Sequence, residues 1–282
     1  MSPHFYLGCH QPGWLWNPAA DFPLFVSHRT LRAYKTLKPS THGWALDSGG
    51  FTELSTYGEW RTSPQEYVLA TARYDREIGL LEWAAPQDWM CEPAIINGGV
   101  VNGKTFPGTH LSVAEHQRRT VGNFLLLKDL WRAESDQECP FMPVLQGWEP
   151  GDYHRCLELY TAAGEHLEDY PVVGLGSVCR RQGTAEIAGL VRSLTPKYAI
   201  HGFGMKTKGL LATGDRLESA DSLAWSYDAR RNAPLAGCTH KNCANCLPYA
   251  AAWRERLLDL LDGARWRGYQ DDLFNPALGS AA

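Results

Sequence analysis

The chain has 282 residues, 44% of them hydrophobic and 21% charged, and a net charge of −4; this suits one α/β barrel or two small domains with an ample core. The acidic balance excludes a polycation wrapped in nucleic acid, although a local basic patch is enough to bind one. No run approaches the roughly 18 apolar residues of a membrane span, and the polar N-terminus lacks a signal peptide, so a cytoplasmic chain with reduced thiols is expected.

Phe5 to Cys9 reads as a first strand, ended by His10-Gln11-Pro12-Gly13, with Leu24 to Ser27 a second and Trp44 to Asp47 a third. In Leu46-Asp47-Ser48-Gly49-Gly50-Phe51 the third strand delivers a carboxylate, and two glycines let the backbone turn tightly and approach a planar ligand. Pro64 to Ile78 has helical spacing with Ser63 as its N-cap. Leu80 to Ala85 is a fourth strand that leads into Pro86-Gln87-Asp88-Trp89. Asn97 to Thr109 has no periodicity, and a loop of that length is expected to be a lid or a binding segment.

Ser112 to Ala133 then reads as a long helix, Met142 to Leu145 as the fifth strand and Pro150 to Ala163 as the helix after it. Val172 to Leu175 is the sixth strand, with Thr184 to Ser193 its helix. Tyr198 to Phe203 is the seventh strand, and the run ending at Asp221 the eighth. Eight strands so separated predict an α/β fold, a (β/α)₈ TIM-like barrel spanning residues 1–282 as a single domain. Several strands end in Asp, Gln or Gly, where such a barrel keeps its active site. Of the eleven tryptophans, those near strand ends suit core packing and aromatic walls equally.

Cys238-Thr239-His240-Lys241-Asn242-Cys243-Ala244-Asn245-Cys246 carries the most specific metal signal. Thiolate and imidazole suit tetrahedral zinc, and Cys238, His240, Cys243 and Cys246 would close the coordination sphere of a structural Zn²⁺, with another histidine or an acidic residue as the alternative to His240. The other five cysteines read as small buried hydrophobes.

Asp47-Ser48-Gly49-Gly50-Phe51, Gln146-Gly147, Gly174-Leu175-Gly176, Asp221 and the knuckle together resemble the tRNA-guanine transglycosylase superfamily, from about residue 44 to 250. That superfamily is a zinc-bearing (β/α)₈ fold that exchanges guanine for a 7-deazaguanine. The short chain, the knuckle without a downstream histidine and Ser219 to Ser226 look more like the DpdA-type branch, which inserts 7-deazaguanines such as preQ0 into DNA. The resemblance implies that Asp221 is the nucleophile on C1′ and Asp47 the general acid/base.

Asp88 and Gln146 suit the base edge, one accepting and the other both donating and accepting, while Gly174 offers backbone where a side chain would collide. Phe51 suits stacking on the base or core packing equally, and Met205 suits the other face of the pocket. Gln87 suits a supporting or capping role, and His201 a structural one. Arg180, Arg181, Lys206, Lys208, Arg230, Arg231 and Lys241 cluster after the later strands as a candidate phosphate track. DNA is the expected partner and tRNA the alternative, with accessory DNA-modification proteins and the oligomeric state open. A glycoside hydrolase and a zinc-stabilised nucleic-acid-binding module without catalysis are the competing classes.

Overall fold

Short polar signals start the main helices. Ser63 Oγ accepts from Glu66 N while the Glu66 carboxylate accepts from Ser63 N, a reciprocal cap with Pro64 in the first turn. Ser112 and Thr184 accept from the amides of Glu115 and Ile187 in the same way. The computed structural model describes residues 3–101, 103–179, 181 and 183–274, with side chains described as far as 263.

The strands are β1 (His4–Cys9), β2 (Leu24–Ser27), β3 (Trp44–Asp47), β4 (Leu81–Ala84), β5 (Gly99–Val101), β6 (Lys104–Phe106), β7 (Val144–Leu145), β8 (Val173–Leu175), β9 (Ile200–Gly202) and β10 (Ser219–Ser222). The helices are α1 (His28–Leu31), α2 (Gly50–Tyr57), α3 (Pro64–Ile78), α4 (Pro93–Asn97), α5 (Val113–Glu134), α6 (Pro150–Ala162), α7 (Ala185–Leu194), α8 (Thr207–Thr213), α9 (Ala224–Ala229) and α10 (Leu247–Phe274).

Eight strands form one curled parallel sheet in the order β4-β3-β2-β1-β10-β9-β8-β7. The period-two alternation of each strand divides the core. Tyr6, Phe25, Ala45, Trp83, Met142 and Val144 form one cluster, while Phe5, Leu7, Leu24, Val26, Trp44 and Leu46 belong to the larger one that packs against the helices.

The two sheet edges, β4 and the segment before β7, meet at a single parallel bridge between Ala84 and Phe141. Ala84 N donates to Pro140 O at 2.7 Å and Met142 N to Ala84 O at 3.1 Å. The ladder stops there because Pro86 and Pro143 have no N–H to continue it. The expected closed ring of strands is therefore a curled sheet joined at one bridge, and the fifth strand shrinks from Met142–Leu145 to Val144–Leu145.

The stretch expected to be a loop from Asn97 to Thr109 instead contains the antiparallel hairpin β5–β6. Gly99 and Gly103, at φ +97° and +74°, supply turns that alternation alone does not reveal. Lys104 ties this hairpin to α2: its Nζ donates to Ser55 Oγ at 2.9 Å and lies 5.0 Å from the centre of the Phe51 ring.

Candidate active site

The parallel strands end on one side of the sheet around a cavity of about 450 Å³, within the range of small-molecule sites. Asp47 enters it from β3 beside Ser27 of β2, its partner in the ladder. Asp47 Oδ1 accepts from Gly49 N at 3.0 Å. Gly49 has φ +82°, and a Cβ there would lie 2.7 Å from Arg29 Cγ, so both the turn and the neighbour require glycine. Burial pushes the Asp47 carboxyl above its ordinary range; Gly49, Ser27 and Arg29 draw it down, and the nearby Asp221 pushes it up.

Asp221 enters from β10, next to β1, with 6% of its surface exposed. Gly204 N donates to Oδ1 at 2.8 Å, and His201 Nε2 lies 3.3 Å from the same oxygen. The other His201 nitrogen, Nδ1, is 2.8 Å from Ser219 Oγ. Burial holds the His201 pKa below its usual value, and the rings of Tyr6, Phe25, Trp83 and Phe203 surround it. A neutral His201 that donates to Asp221 and accepts from Ser219 satisfies both contacts.

Asp88 follows β4, and its carboxyl is pushed up to about 6, first by burial and then by Asp47, against the hydrogen bond from Gln146 Nε2 that lowers it. Gln146 follows β7. Its Oε1 accepts from Ser177 Oγ at 2.7 Å, and its backbone carbonyl accepts from Gln117 Nε2 at 2.8 Å. Asp47, Asp88, Gln146, Asp221 and Phe51 all line the same cavity.

Two of the residues expected at the base pocket do not line this cavity. Gly174 lies below the cavity, where a Cβ would meet Phe203 Cε2 at 2.6 Å and Val144 Cγ2 at 2.8 Å, whereas Gly176, two residues on, lines it. Met205 is 1% exposed and packs in the larger core beneath Gly202, so it is not a wall of the cavity. Gln87 also lies outside the lining and donates to Thr62 O at 2.8 Å.

Sequence reasoning missed Cys9, His10, Arg29, Glu92, Ser177 and Cys179, all of which line the cavity. Cys9 ends β1, His10 follows it, and Arg29 is the second residue after β2, which was the available signal. Burial, and then the nearby Arg230, lower the pKa of His10 from its ordinary value.

The basic track is only partly available. Arg181 stacks 3.8 Å from the centre of the Trp148 ring, donates to Trp148 O and pairs with Glu186 at 2.9 Å. Arg231 stacks on Tyr227 at 3.9 Å. Lys206, Lys208, Arg230, Arg231 and Lys241 are exposed, and Arg180 lies outside the described residues.

Behind α9, the donor atoms of Cys238, His240, Cys243 and Cys246 all lie within 4.8 Å of one another. Tetrahedral zinc, with Zn–S near 2.3 Å, sets sulfurs roughly 3.8 Å apart. Cys238 Sγ and Cys246 Sγ are 4.0 Å apart, and His240 Nε2 is 3.2 Å from Cys243 Sγ. Three sulfurs and an imidazole thus fit a metal such as zinc, and none of the four residues lines the cavity.

Parallel α/β folds bind ligands and do their chemistry in concave sites at the carboxyl ends of the strands, and this chain is of that class. It belongs to the DpdA family, described as DeoxyPurine in DNA protein A, whose family model matches residues 1–274. Membership points to transglycosylase chemistry on deoxypurines of DNA. Comparison with curated proteins finds no match. Among the described residues no helix is long and apolar enough to cross a membrane.

Proposed function

We propose that the protein exchanges guanine in DNA for a 7-deazaguanine, preQ0 or a close relative, through a covalent Asp221–deoxyribose intermediate. The observation that carries this reading is the convergence of Asp47, Asp88, Gln146 and Asp221 on one cavity at the strand ends. Gly204 and His201 occupy Asp221 Oδ1, which directs Oδ2 to C1′. Attack there breaks the N-glycosidic bond and holds the sugar as an ester while guanine leaves. The incoming base then displaces the carboxylate, and two inversions retain the anomeric configuration.

Asp47, with its raised pKa, gives a proton to the departing base and takes one from the arriving base. Asp88 accepts from N1–H and the 2-amino group, and Gln146 donates to O6. Phe51 at the cavity mouth stacks on the base. The target base is extruded from its stack to reach the cavity, with Lys206, Lys208, Arg230 and Arg231 near the flanking phosphates. We read the sheet as a (β/α)₈ barrel completed at the Ala84–Phe141 bridge, and residues 1–282 as one domain. Zinc on Cys238, His240, Cys243 and Cys246 is structural, because four protein ligands leave no open position.

The test supplies guanine-labelled duplex DNA or labelled tRNA together with unlabelled preQ0. Release of label from DNA alone, lost in Asp221→Ala, supports the reading. Release from tRNA alone overturns the choice of polymer, and release from neither by folded, zinc-loaded protein overturns the enzyme.

A further inference from the structure

The carboxamide of Gln146 is held at both ends by groups whose hydrogen-bonding direction is fixed. The backbone N–H of Cys91 donates to Ser177 Oγ at 2.8 Å, and an amide N–H cannot reverse this role. The Ser177 proton is thereby turned towards Gln146 Oε1, 2.7 Å away. At the other end, Gln146 Nε2 donates to Asp88 Oδ2. The chain from Cys91 through Ser177 and Gln146 to Asp88 runs one way, and reversing the amide would set its carbonyl oxygen against a carboxylate. Nε2 has a second N–H beyond the one given to Asp88, and Gln146 and Asp88 line the cavity together.

Ser177 carries a second, independent mark. It has φ +56°, in the left-handed region where glycine is at ease, and it is 6% exposed. A serine held there bears a backbone cost that its two hydrogen bonds offset.

We propose that Ser177 is a specificity-positioning residue: it locks the polarity of the Gln146 amide so that the cavity takes a 6-oxo-2-aminopurine or its 7-deaza relative and rejects the 6-amino counterpart. A donor at Gln146 beside an acceptor at Asp88 matches the O6, N1–H and 2-amino edge. It opposes a 6-amino group next to an unprotonated N1. The inference rests on the base-exchange reading of this cavity.

The test measures the binding of 7-deazaguanine and 7-deazaadenine by calorimetry to the full chain, wild type, Ser177→Gly and Ser177→Ala. Glycine relieves the φ of this position but loses both hydrogen bonds, so the two effects on stability oppose one another, and a merely structural serine predicts an unchanged base preference whatever the melting temperature does. The expected result is a wild type that prefers 7-deazaguanine and a Ser177→Gly protein of similar melting temperature whose preference is about tenfold weaker, the worth of one hydrogen bond. The loss is partial because Asp88 still favours the native amide orientation. An unchanged ratio of affinities in both variants, or an equal fall for both bases, overturns the role of Ser177 while wild-type discrimination leaves base exchange standing. A wild type that binds neither base and releases no guanine from DNA overturns both.

Discussion

Asp88→Asn separates the stability of this fold from its proposed work. The Asp88 carboxyl titrates at about 6 against an ordinary 3.8, mainly because it is buried. A difference of about 2 pK units corresponds to a ceiling of about 3 kcal/mol. The residue is partly open to the cavity, and screening there reduces the expected effect to about 1–2 kcal/mol.

The sign follows from which state holds the proton more tightly. Below pH 3.8 both folded and unfolded chains carry a protonated Asp88, and the group costs nothing. As pH rises through the window from 3.8 to about 6, the unfolded chain ionises first and stability is lost. Asparagine cannot ionise and can still accept from Gln146 Nε2. Urea unfolding at pH 4 and pH 8 should therefore show the variant gaining about 1–2 kcal/mol on wild type between the two. The same substitution removes the acceptor proposed for N1–H and the 2-amino group, so 7-deazaguanine affinity at pH 8 should fall roughly 100-fold. Wild-type affinity should fall as pH drops through about 6. A stability difference identical at pH 4 and pH 8 would refute the buried-charge argument.

Gly176→Ala places a Cβ 2.1 Å from Gln146 Nε2; the displaced amide should lower base exchange about 100-fold with the circular dichroism spectrum unchanged, as read by guanine release. Cys243→Ala, or extraction with a strong chelator, should release the metal from the Cys238–Cys246 knuckle and lower the melting temperature by several degrees, followed by metal analysis and thermal unfolding. His201→Phe keeps the aromatic surroundings but removes the contacts to Ser219 and Asp221, and should cost about 1–3 kcal/mol in urea unfolding.

Most strands were legible because each is a short apolar run ended by Gly, Pro or a polar residue. Asp47 and Gln146 were legible for the same reason, standing where such a run stops, while Asp88, four residues after β4, and Asp221, within β10, were marked by the motifs around them rather than by the end of an apolar run. The neighbours that set their chemistry were not. Ser177 looks like any loop serine until its φ and its two partners are known. Arg181 looks like a phosphate ligand until Trp148 and Glu186 are seen to hold it. The hairpin β5–β6 was hidden because three-residue strands are too short to show alternation.

The exchange of Gly174 for Gly176 shows what sequence periodicity leaves undetermined. Residues i and i+2 of a strand share a face, so both glycines meet the requirement for backbone facing inward. They differ by one step along the strand, about 6.6 Å, which is the spacing between layers of an inward-facing core. At the lower step Phe203, Val144 and Met142 close over Gly174; at the upper step the Gln146 amide passes over Gly176. Depth depends on how far neighbouring strands have slid past one another, and here Val144 is level with Gly174 and Leu145 with Leu175. That register puts Gln146, the next residue after β7, beside Gly176 rather than Gly174. On this side of the sheet the polar groups that line the cavity come from beyond the ends of β7 and β8, and Ser177 is the first side chain after Gly176 to supply one.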